Sequence, residues 1–144
     1  MKKKNSEDVE EQDYETTKQD FEYFKSECIK WRDLLNLKNW EMYFYHERYE
    51  DRDGLRACIV DSPVDRVVTI YFDPKWSAKP DKYLISKTAF HEICEVLFLD
   101  IRLLFSSRCD VSQKDMEVHK IIILLENILF EKYYKTPETT KKSK

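Results

Sequence analysis

The chain has 144 residues, room for one compact domain, and its 42% hydrophobic and 14% aromatic content suffices for a single core. A formal net charge of −3 and a pI near 5.7 exclude an overall electrostatic pull toward nucleic acid or an anionic membrane. The longest nearly apolar run, Ile121 to Leu125, falls far short of the roughly 20 residues that span a bilayer.

The opening M-K-K-K leads into polar N-S-E-D-V-E-E-Q-D, not an apolar signal region, so a soluble, cytoplasmic protein is expected. Cys28, Cys58, Cys94 and Cys109 form no C-x-x-C pair, and reduced thiols fit the same compartment. Residues 1–18 are charge-dense, with Tyr14 the only aromatic, and are expected to form a mobile tail. A single domain over 19–135 follows. Residues 136–144, with Pro137, read as a second mobile tail.

Within the domain, Phe21, Phe24, Cys28, Trp31, Leu34 and Leu35 recur at helical spacing and predict a helix to about Leu37. Trp40 to Tyr49 alternates as a strand, Trp40, Met42, Phe44 and His46 on one side and Glu41, Tyr43, Tyr45 and Glu47 on the other. Asp53 and Gly54, the only glycine, form a D-G pair that predicts a tight turn, with Leu55 to Val60 returning as a hairpin partner. Asp61 to Asp65 marks another turn, and Arg66 to Phe72 is a third, β-branched strand.

A long helix is predicted over Lys82 to Phe105, its apolar stripe built from Tyr83, Phe90, Cys94, Leu97, Ile101, Leu104 and Phe105. A last helix starts after Ser112, with Asp115 in a capping-box position, and runs to about Tyr134. Strands grouped ahead of a helix pair make an α+β domain: a helix, a three-stranded, mainly antiparallel sheet, then two helices.

The long helix carries A-F-H-E-I-C-E-V-L-F, Ala89 to Phe98. It matches the zinc-protease signature H-E-x-x-H except that Glu95 replaces the second histidine. His91 and Glu95, one turn apart, lie on one margin of the apolar stripe and are able to converge on an ion, while Glu92 is expected further round, toward the polar side. Catalytic zinc needs a third protein ligand. His119 and Glu126, seven residues apart, share a face of the last helix. His119 suits zinc as that ligand, and Glu126 is placed to orient an imidazole from behind. Plain packing also accounts for the pattern, with His91 on the margin and Glu95 paired with Arg102 or Lys87.

The element order, with W-R-D-L-L-N-L-K-N-W-E-M-Y-F, R-V-V-T-I-Y-F-D-P-K-W, A-F-H-E-I-C-E-V-L-F and E-V-H-K-I-I-I-L-L-E-N-I-L, resembles the small zincin-type metallopeptidases of bacteriophages and prophages. The resemblance covers about Phe21 to Phe130. It implies a zincin-like core in which His91, position 95 and His119 hold zinc and Glu92 is the general base, with a peptide or protein as substrate. Relatives usually carry histidine at the position of Glu95, which keeps a second possibility open: a zincin fold whose catalytic set has decayed into a protein-binding module. An edge strand pairing with extended substrate is also implied, without indicating which strand.

Other residues carry ordinary explanations. Cross-strand packing accounts for the tyrosines of Trp40 to Tyr49 better than a nucleic-acid stacking platform, since basic residues are not interleaved. His46 reads as a buried or rim histidine. Cys94 reads as core, and Trp76 as a loop tryptophan closing it.

Overall fold

The computed structural model describes residues 13–50, 54–105 and 111–135. Both expected tails lie largely outside this set, as do Asp53 and Cys109. In chain order come β1 (Tyr14–Glu15), α1 (Lys18–Leu34), β2 (Glu41–Tyr45), β3 (Ala57–Ser62), β4 (Val67–Phe72), β5 (Lys75–Trp76), α2 (Lys82–Leu97), α3 (Leu99–Phe105) and α4 (Val111–Leu125). A π-helical turn over Glu126–Phe130 and then α5 (Glu131–Lys135) continue α4 without a break. The class is α+β.

The sheet order is β2-β4-β3, with β3 antiparallel and β2 parallel to β4. This corrects the expected hairpin across Gly54. β4 carries the residues that most need cover, Val68, Ile70 and Phe72, all fully buried, and a central position pairs both of its edges. A β2–β3 hairpin would leave it at a rim. Gly54 does adopt φ +81, which suits glycine, but inside the segment that carries the chain from β2 across to β3. The tight hairpin lies instead at Ser62 to Arg66, where Ser62 Oγ donates to Asp65 at 2.7 Å and Arg66 takes φ 57. The sheet is therefore mixed, half parallel.

Structure also begins earlier than residue 18. Tyr14 and Glu15 pair with Trp76 and Lys75, and buried Thr16 donates from its backbone to Pro74 at 2.9 Å. Thr16 Oγ1 also lies 2.8 Å from His46 Nε2, and the His46 ring stacks on Phe21. His46 is thus a rim residue tied to the N-terminal clasp. Thr17 then caps α1 reciprocally with Asp20, because its hydroxyl accepts from the Asp20 N–H and the Asp20 carboxylate accepts from the Thr17 N–H.

The core joins Phe24, Cys28 and Trp31 of α1, the inward residues of β4, and Ile85, Ala89, Phe90 and Ile93 of α2. Val118, Ile122 and Phe130 close it from the last helix. Trp31 meets the Phe90 edge at 4.6 Å, Phe24 packs on Phe72 at 4.6 Å, and Trp76 is buried as expected. Tyr45 and Tyr71 are a stacked cross-strand pair on the open face of the sheet.

The expected single helix from Lys82 to Phe105 is divided. At Phe98 (φ −92, ψ 0) the N–H reaches back to Cys94 and Glu95 carbonyls, which ends α2 before α3 begins at Leu99. Ile101, placed on the apolar stripe by periodicity, is consequently exposed. Among the described residues no helix is long and apolar enough to cross a membrane.

Truncating the core should separate from losing a cap. Phe24→Ala is expected to cost about 3–5 kcal/mol and Thr17→Ala about 1 kcal/mol, both measured by urea unfolding.

Candidate metal centre

Helix α2 is held on several sides, by α1, by β3 and by the last helix. Burial therefore extends nearly all round it, from Thr88 through Val96 with only His91 partly open. This overturns the expected placing of Glu92 on a polar side: the residue is 6% exposed. With α1 against one face and the sheet against another, α2 has no polar side at that height. Burial pushes the Glu92 carboxyl up to about 7; nearby His91 opposes the shift and Glu95 adds to it.

His91 and Glu95 stand one turn apart, and His119 reaches them from α4. The His91 and His119 rings are 4.9 Å apart, close to edge-on. Glu95 Oε1 lies 3.7 Å from His91 Nε2 and 3.6 Å from His119 Nδ1. One ligand atom from each residue falls within 4.8 Å of the other two. Ligands at about 2.1 Å from a tetrahedral zinc stand about 3.4 Å apart, and the two distances from Glu95 to the imidazoles approach that separation. Two imidazoles and one carboxylate also suit zinc chemically.

Glu126 takes the supporting position behind His91. Its Oε1 accepts from His91 Nδ1 at 2.9 Å, while its Oε2 lies 3.7 Å from Lys87 Nζ. A carboxylate only accepts, so the proton belongs on Nδ1 and the Nε2 lone pair of the neutral ring faces the cluster. Burial alone would lower the His91 pKa. The hydrogen bond to Glu126 and the charges of Glu92, Glu126 and Glu95 outweigh it and raise the value.

Of the two packing partners offered for Glu95, Lys87 goes to Glu126 and Arg102 takes Glu95. The guanidinium Nη2 donates to Glu95 Oε2, leaving Oε1 for the histidines. Arg102 Nε is buried without a hydrogen-bond partner among the described residues, 3.8 Å from Asp115 Oδ1. Asp115 was visible only as a capping residue. Its nearness to Arg102 had no local sequence signal, because it depends on how α4 packs beside α3.

A cleft of about 500 Å³ opens over the cluster, lined by His91, Glu92 and His119 on one side and Leu55, Arg56 and Ala57 on the other. The segment leading into β3 is the part of this wall that sequence reasoning missed; its approach follows from β3 being a sheet edge beside α2. Cys94 is fully buried in the core, as expected. Comparison with protein-family models, curated proteins and solved structures finds no significant match.

Two titrations check this geometry. In metal-free protein the His91 imidazole should titrate above 6.5 by NMR, and Glu126→Gln should lower that value. Burial pushes the Cys94 thiol up to about 12 and the Cys28 thiol well above 9.0. At pH 8 both should thus resist alkylation in native protein and react once it is unfolded, as read by mass spectrometry.

Proposed function

We propose that this protein is a zinc-dependent metallopeptidase of the zincin kind. The observation that carries the reading is the convergence of His91 Nε2, Glu95 Oε1 and His119 Nδ1 from two helices, with Glu92 lining the same cleft. His91, Glu95 and His119 would hold the ion, and Glu126 fixes the His91 ring. Bound zinc in such a site acidifies a water and polarises a carbonyl.

Glu92 is the proton carrier. From its place in the cleft wall its carboxylate would take a proton from water and return it to the leaving amine. The substrate class is an extended peptide. β3 is an edge strand of the described sheet and its start borders the cleft, where an extended peptide would lie beside it.

A second reading is favoured by the Arg102 contact: Glu95 already has a positive partner, as in a decayed site retained for protein binding. Metal analysis of chelator-free protein separates the two. The peptidase reading expects close to one equivalent of zinc, and less than about a tenth would reject it. Glu92→Gln should keep the metal and lower peptide hydrolysis by about a hundredfold or more. If Glu95→His creates metal binding and hydrolysis where the native chain has neither, the decayed reading holds.

A further inference from the structure

Glu95 differs from an ordinary metal-binding carboxylate in one respect. Its two oxygens are committed in opposite directions, Oε1 toward His91 and His119 and Oε2 to the Arg102 guanidinium. A free carboxylate offers both oxygens, and bidentate, oxygen-rich coordination suits larger, harder cations such as manganese and calcium. A carboxylate with one oxygen already occupied offers a single donor atom, as an imidazole does. Its charge is also largely balanced by the arginine, so the pair Glu95–Arg102 presents a metal with one donor and little net charge.

We infer that Arg102 is a metal-selectivity residue: by occupying Glu95 Oε2 it makes the glutamate a one-oxygen ligand and tunes the site toward zinc over harder, oxygen-preferring cations. Burial supports the assignment. Side-chain exposure is 21% for Arg102 and 11% for Glu95, so water competes weakly for the contact. Arg102 comes from α3, beyond the helix end at Phe98, and Asp115 of α4 lies 3.8 Å from its Nε. Two elements besides α2 therefore bear on where the guanidinium sits. The inference rests on the metal-binding reading above and adds to it the role of a residue that touches no metal.

The test is the ratio of zinc to manganese affinity, measured by titration of the full chain, in wild type, Arg102→Met and Arg102→Lys. Loss of the guanidinium frees Oε2, so Arg102→Met should narrow the zinc preference by about tenfold or more. Arg102→Lys, which keeps a cationic donor, should stay nearer the wild-type ratio. A purely structural arginine would weaken both metals alike, and an unchanged ratio in Arg102→Met, or a larger loss in Arg102→Lys, overturns the proposal. Cobalt bound to the wild-type chain provides a check that needs no variant: one oxygen from Glu95 predicts the intense visible absorption of a four-coordinate ion, whereas the weak spectrum of a higher-coordinate ion counts against it decisively. Absence of any zinc or cobalt binding in wild type rejects the metal-binding reading itself, and this inference with it, a result distinct from bound metal with an unaltered ratio.

Discussion

The enclosure of α2 is the constraint on which the rest of the structure depends. A helix covered on several sides normally carries apolar residues all round, yet this one places Glu92 and Glu95 where water is largely excluded. Desolvating a carboxylate is costly enough that each must either give up its charge or find a partner. Glu92 shifts toward the first course, its carboxyl pushed up to about 7. Glu95 takes the second, with Arg102 on one oxygen and two imidazoles facing the other.

Those two solutions give two carboxyls of one helix different surroundings. Burial raises the pKa of one carboxyl, and the other is oriented between an arginine and two imidazoles. Glu126 adds a third solution, shared between His91 and Lys87. The surroundings that make the fold compact are thus the same ones that give neighbouring glutamates different chemistry. Trp31 of α1 packs edge-on against Phe90 of the same helix, and both are buried.

Much of this was legible in the sequence, because helical spacing is a local property. The one-turn separation of His91 and Glu95, and the two-turn separation of His119 and Glu126, fix which side chains share a face, and all four meet at one place. What local spacing does not encode is the company an element keeps. The burial of Glu92 depends on α1 and the sheet flanking α2, and the choice of Arg102 over Lys87 depends on the turn at Phe98. The strand order is a matter of the same kind: the D-G pair correctly marks a left-handed backbone at Gly54, but the need to cover both edges of β4 decides which strands pair. The clasp at Thr16 escaped a composition-based reading for a related reason, since a two-residue strand leaves no periodicity to detect.

The π-helical turn has a further bearing on how this chain is free to vary. Val118, Ile122, Glu126 and Phe130 are all buried at intervals of four, and in a regular α-helix each such step rotates the side chain by about 40°. Three steps would swing Phe130 well away from the face of Val118. The wider turn over Glu126–Phe130 takes back part of that rotation, so the carboxylate behind His91 and the aromatic plug of the core stay in phase. The phase is set by residue count, not by residue identity. Loss or gain of a single residue there would turn Glu126 and Phe130 out of register with one another, whereas many substitutions on the outer side of the same helix would leave the register intact. The last helix is accordingly tolerant in composition and intolerant in length.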